Sequence, residues 1–106
     1  MDFLRRLFGG GAQSGDPVGM YYYVRPHGCE EIVRVRIDRN NDLSLNDDGT
    51  FWVHKVVRGS KCRQQVEMDL YFDSSRRFRE ANLTHGDLVD EAEYQAWLEA
   101  GAKPAP

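Results

Sequence analysis

From Met20 onward the chain alternates apolar and polar residues with a period of two, and no other feature constrains its fold as strongly. Val66, Met68, Leu70 and Phe72 are separated by Glu67, Asp69 and Tyr71; Val33, Val35 and Ile37 are separated by Arg34 and Arg36. Successive side chains of a strand point to opposite faces, so this pattern gives strands with one apolar side. It predicts strands over about 20–25, 30–38, 50–58 and 61–73, and a weaker one over 78–83. They are joined by Pro26-His27-Gly28, a polar loop over 39–49, Gly59-Ser60 and a turn over 73–77. A small antiparallel sheet of about five strands is the expected assembly.

Gly59-Ser60, with glycine first, suits a two-residue type II′ hairpin. Such a turn would set Arg58 opposite Lys61, Val57 opposite Cys62, Val53 opposite Val66 and Phe51 opposite Met68. The predicted core is Val33, Val35, Ile37, Phe51, Val53, Val57, Val66, Met68, Leu70, Phe72 and Trp97.

The C-terminal part switches to helix. Asp90 stands as N-cap, Glu93 completes a capping box, Val89 is placed to staple onto Tyr94, and Gly101 sits where a helix ends. Tyr94, Trp97 and Leu98 share a face, as in a helix packed on a sheet. The whole is therefore read as mainly β, or α+β, with the helix on the sheet. Its organisation is a short amphipathic turn and Gly-rich linker over 1–19, one β domain with its helix over 20–101, and a disordered tail over 102–106.

The net charge of −3 is unevenly spread. Residues 20–79 carry 11 basic and 9 acidic side chains, whereas residues 80–106 carry 6 acidic and 1 basic. An acidic C-terminal part does not suit a protein that coats nucleic acid through a broad basic face. The apolar runs are too short to span a bilayer and the start lacks a secretory pattern, so a cytoplasmic protein is expected. Phe3, Leu4, Leu7 and Phe8 around Arg5 and Arg6 would allow weak docking of residues 1–8 on a partner groove or a membrane surface.

The two cysteines close matching turns, Cys29 in Pro26-His27-Gly28-Cys29 and Cys62 in Gly59-Ser60-Lys61-Cys62. Each is the second cysteine of a C-x-x-C knuckle whose first member is replaced, by Pro26 and by Gly59. In zinc ribbons two such knuckles converge on one metal ion. Here His27, Cys29 and Cys62 would supply three ligands, with His85 or Glu31 as a remote fourth. A direct Cys29–Cys62 disulfide is the second option, and two unbonded thiols at the end of the core are the expected state.

Tyr21 to Phe72, with Cys29, Val-Arg-Val-Arg36, Asn41-Asp42-Leu43-Ser44, Lys55, Gly59-Ser60, Cys62 and Leu70-Tyr71-Phe72-Asp73, resembles a group of small uncharacterised bacterial proteins with zinc-ribbon-like hairpin turns. The resemblance implies ribbon-like turns at Cys29 and Cys62, with two of four knuckle cysteines absent.

Catalysis by Cys29 would require His27 or His54 within reach of its sulfur and a third group to orient the imidazole. No C-x-x-C redox pair, H-E-x-x-H, G-x-S-x-G or phosphate-binding glycine motif accompanies them. The acidic loop at 38–49 fails as a calcium loop, because the sixth and twelfth positions from Asp38 are Leu43 and Gly49; Asx turns account for its composition. The outward face supplies the remaining candidate surface: Arg34, Arg36, Trp52, His54 and Arg63. With the strand over 30–38 beside the hairpin, Arg36 would stack on Trp52 and pair with Glu67 in a cross-strand ladder. Such a face can take a protein partner or, by charge and stacking, a single-stranded nucleic acid. The expected function is a non-catalytic interaction module with a protein partner, zinc binding and nucleic-acid binding being the alternatives.

Overall fold

A computed structural model describes residues 16–102; the expected amphipathic turn with its docking role, the Gly-rich linker up to residue 15 and the expected tail over 103–106 lie outside them. Among the described residues seven strands, β1 (Gly19–Pro26), β2 (Val33–Asp38), β3 (Ser44–Leu45), β4 (Phe51–Val57), β5 (Val66–Phe72), β6 (Phe78–Thr84) and β7 (Gly86–Val89), precede one helix, α1 (Glu91–Glu99). They form two antiparallel sheets, β2-β1-β7 and β3-β4-β5-β6. The mainly β reading with a C-terminal helix holds, but the single five-stranded sheet becomes two sheets.

The two extra strands are short. β3 has two residues, and β7 follows β6 after a sharp corner at His85, whose φ of 70° is in the left-handed region. Neither has enough alternation to register as a strand in sequence.

One core joins the sheets. Met20, Tyr22 and Val24 of β1 and Val33 and Ile37 of β2 meet Val53, Val57, Val66, Met68, Leu70 and Phe72 from β4 and β5. Full burial of a side chain of this size stabilises by about 1.5–3 kcal/mol. Val35 and Phe51 sit at its margin, partly buried. A second cluster lies on the other side of the first sheet, where Tyr23, Ile32 and Val89 meet Tyr94 of the helix, with Trp97 and Leu98 at its edge. β1 is thus buried on both faces, which explains its unbroken Met-Tyr-Tyr-Tyr-Val run. Trp97 is half-buried in this cluster rather than part of the central core.

The Asp90 N-cap forms as the sequence predicts. The Asp90 carboxylate accepts from the Glu93 N–H at 2.8 Å, and Val89 and Tyr94 share a cluster. The Glu93 carboxylate accepts from Arg25 of β1 at 3.1 Å, tying the helix to the sheet. At the other end the Gly101 N–H donates to the Leu98 carbonyl, with a φ of 94° that glycine adopts without strain.

The β4–β5 hairpin differs from expectation. Its ladder closes at Val57 opposite Val66, so Val53 faces Leu70 and Phe51 faces Phe72. Residues 58–65 form a long loop in place of the two-residue turn. The slip is four residues, an even number, so the inward and outward faces survive it. Its cause is that 58–65 is polar at nearly every position and is drawn away from the ladder by partners on the β1–β2 connection. Among the described residues no helix is long and apolar enough to cross a membrane.

Candidate functional site

Two regions carry chemistry: the corner where the loop 58–65 meets the β1–β2 connection, and the outward face of the second sheet.

At the corner, Cys29 and Cys62 are joined by a disulfide with their Cα atoms 6.0 Å apart. The expected pair of unbonded thiols is therefore corrected. The two hairpin ends meet because residues 58–65 leave the β ladder and reach back to residues 29–31. Beside the bond, Glu31 is only 8% exposed and accepts four hydrogen bonds from the loop. The Ser60 N–H donates at 2.8 Å, the Ser60 hydroxyl at 2.9 Å, and the Lys61 and Cys62 N–H groups at 3.1 Å each. Three successive backbone N–H groups thus converge on one carboxylate in an anion-binding nest. Burial alone would raise the Glu31 pKa, but the donors from Ser60, Lys61 and Cys62 outweigh it, and the net shift is downward.

Gly59 is dictated by this carboxylate. A Cβ there would lie 2.2 Å from Glu31 Oε1, so any side chain would displace the acid. A depression of about 330 Å³ lies against the corner, lined by Cys29, Glu30, Glu31, Lys61, Cys62 and Trp97 among others.

These positions do not suit the expected zinc site. The two sulfurs are bonded to each other and so offer no thiolate. The His27 ring pairs with Asp87 of β7 at 3.2 Å, and the His27 N–H donates to the His85 carbonyl at 2.9 Å. Glu31, expected as a remote ligand, is occupied by the loop. Among the described residues no cluster of three His, Cys, Asp or Glu is arranged to hold a metal ion.

The proposed basic-aromatic face divides between the two sheets. Arg34 and Arg36 lie on β2, in the first sheet. Arg34 stacks over the Tyr21 ring at 5.0 Å. Arg36 holds Asp16 with Nε 3.0 Å and Nη2 3.2 Å from its carboxylate, and the Tyr21 hydroxyl donates to the same group. The Arg36 guanidinium first, then Tyr21, keeps the Asp16 carboxyl far below the usual carboxylate range. The expected stacking of Arg36 on Trp52 and its pairing with Glu67 is therefore replaced by an Arg36–Asp16–Tyr21 cluster. The reason is topological: β2 pairs with β1, not with the β4–β5 hairpin.

Trp52 and His54 remain on β4, facing outward on the second sheet. Their cross-strand neighbours are Tyr71 and Asp69, and Val56 faces Glu67. On the next strand Glu80, Asn82 and Thr84 stand opposite Tyr71, Asp69 and Glu67. His54 Nδ1 lies 2.7 Å from Asp69, and its Nε2 is 4.0 Å from Glu67. The face therefore carries Trp52, Val56 and Tyr71 among three carboxylates and one histidine. Arg63 is exposed in the loop beyond the ladder, and Arg79 sits at the bulge between Tyr71 and Phe72 and their partners.

The acidic loop uses its oxygens on its own backbone. Asp38 accepts from the Asn40 and Asn41 N–H groups, and Asp42 accepts from the Asp38 N–H at 2.7 Å. That is the Asx-turn chemistry its composition implies.

Sequence reasoning missed the role of Glu31. The available signal was Gly59-Ser60 preceding a cysteine, a small-residue turn able to wrap an anion, but nothing local identifies which acid it wraps. Comparison with known protein families, curated proteins and solved structures gives no match.

Proposed function

We propose that this protein is a non-catalytic interaction module that binds a basic segment of a protein partner through the outward face of its second sheet. The observation that supports this is the juxtaposition of Trp52 and Tyr71, directly opposite on adjacent strands, with Glu67, Asp69 and Glu80 around them. Aromatic side chains supply apolar contact area with little entropy to lose, and the carboxylates match Lys or Arg on a partner. Val56 is 52% exposed on the same face and extends the apolar strip.

A single-stranded nucleic acid is the weaker reading, because the phosphate backbone would meet these carboxylates while Arg34 and Arg36 are turned to Tyr21 and Asp16. The proposed compartment is the cytoplasm.

Titration of isotope-labelled protein with a Lys/Arg-rich peptide, an acidic peptide and a single-stranded oligonucleotide tests the proposal. Shifts at the Trp52 indole with the basic peptide alone, lost in a Glu67→Lys, Asp69→Lys variant, are expected. Shifts with the oligonucleotide, or with the basic peptide only at other residues, would overturn it.

A further inference from the structure

The loop 58–65 is fastened twice to the β1–β2 connection, once by a covalent bond and once by a carboxylate. The Cys29–Cys62 bond is half-buried and borders the depression beside Trp97 and Lys61. The β4–β5 ladder ends at Val57 and Val66, so breaking this bond unpairs no strand. Glu31 holds Ser60, Lys61 and Cys62 by four hydrogen bonds that do not involve either sulfur.

We propose that Cys29–Cys62 is a thiol–disulfide exchange site, opened by a dithiol reductant and reclosed by a small-molecule disulfide, with the domain folded in both states. In opening, a reductant thiolate attacks one sulfur, forms a mixed disulfide and expels the other sulfur as a thiolate, which takes a proton. The reductant's second thiol then displaces the remaining cysteine. The reductant loses two electrons and two protons and becomes a cyclic disulfide, and Cys29 and Cys62 are left as thiols. Reclosure runs the same exchange backwards, with the small disulfide accepting the electrons.

Three features point to exchange rather than to a permanent staple. A half-buried bond that borders an open depression is reached by a thiolate without global unfolding. Its loop contributes nothing to the paired part of either sheet. The Glu31 nest keeps Cys62 close to Cys29 once the bond is open, so that reclosure starts from a short separation. In a reducing cytoplasm, disulfides that form at all are mostly transient and redox-responsive. This inference does not rest on the Trp52 face, and either can fail alone.

The test treats the oxidised full chain with dithiothreitol in native buffer, traps thiols with iodoacetamide and reads the intact mass. The expected result is labelling of both cysteines at a rate within about tenfold of that in denaturant, as for a site that opens only locally. Hydrogen exchange at Ser60, Lys61 and Cys62 should rise by less than about tenfold, because their bonds to Glu31 persist, while Met68 and Leu70 stay protected. Oxidised glutathione should then restore the oxidised mass. A Glu31→Gln variant should reclose more slowly than the parent while being reduced at a similar or higher rate. Reduction slower than in denaturant by more than about a thousandfold, the signature of a requirement for global opening, would overturn the proposal. Loss of the near-ultraviolet dichroism on reduction of the parent protein would overturn it as well, and this readout does not depend on any variant folding.

Discussion

The two sheets differ in what lies on their outward faces. The first has the helix there, with Tyr94 packed on Tyr23, Ile32 and Val89, and Arg34 and Arg36 turned to Tyr21 and Asp16 beside it. The second keeps Trp52, His54 and Val56 accessible among carboxylates. Aromatic residues occur on both faces, so aromatic content does not distinguish a core from a contact surface. The helix does. Where it lies, tyrosine stabilises the fold; where it does not, Trp52 and Tyr71 are available to a partner.

Removing a side chain under the helix should break the first sheet's side of this comparison with the largest effect. Tyr94 is 6% exposed, its ring centroid 4.8 Å from that of Tyr23. Tyr94→Ala should cost about 3–5 kcal/mol, as for other buried aromatics, and lower the urea midpoint accordingly. Trp97→Ala should cost less, because Trp97 is only half-buried. Equal losses at the two positions would show that the helix packs through its edge and not through Tyr94.

The loop 58–65 and the turn at 73–77 offer a second contrast. Asp73 organises its turn locally, accepting from the Ser75 and Arg77 N–H groups. Glu31 organises a loop some thirty residues away. Glu31→Gln replaces an acceptor with an NH₂ group facing backbone donors and should cost about 1–3 kcal/mol. The pH dependence follows from its lowered pKa. A carboxylate stabilised in the folded state contributes fully above its unfolded value and loses that contribution as pH falls through the folded one. The gap between parent and Glu31→Gln should therefore be widest near neutral pH and close in acid, below the ordinary value of 4.5. Equilibrium unfolding at several pH values checks this, and a gap independent of pH would mean that the carboxylate's charge contributes nothing to the loop.

The same contrast explains what was legible in the sequence. The alternation in Val66–Phe72 and Phe51–Val57 reads directly because each strand carries its own period, and the Asp90 cap reads because its partners lie within four residues. The register did not, since a Gly-Ser pair has the composition of a tight turn and only contact with Glu31 shows that it wraps a carboxylate instead. Placement of β2 also failed: its apolar side fits a partner in either sheet, and pairing with β1 separates Arg34 and Arg36 from Trp52. Periodicity specifies which side of a strand is inside, not which strand lies next to it. Asp90→Ala, at the most legible site, should cost on the order of 1 kcal/mol in the same unfolding assay.

The smallest expected stability effect tests the second sheet's side of the comparison. Trp52 is partly exposed and faces outward opposite Tyr71, away from the inward row of Val53 and Val57. Trp52→Ala should change stability by no more than about 1 kcal/mol, the scale of one cross-strand pair. If it contacts a basic partner from the centre of an interface, the same substitution should weaken binding at least about tenfold, because interface energy concentrates in a few aromatic and arginine contacts. Tyr94→Ala assayed under conditions where it stays folded should leave that affinity nearly unchanged, since its side chain lies beneath the helix on the other sheet. The opposite pair of results, a large stability loss at Trp52 with unchanged binding, would make the outward face of the second sheet structural and remove it as a docking surface.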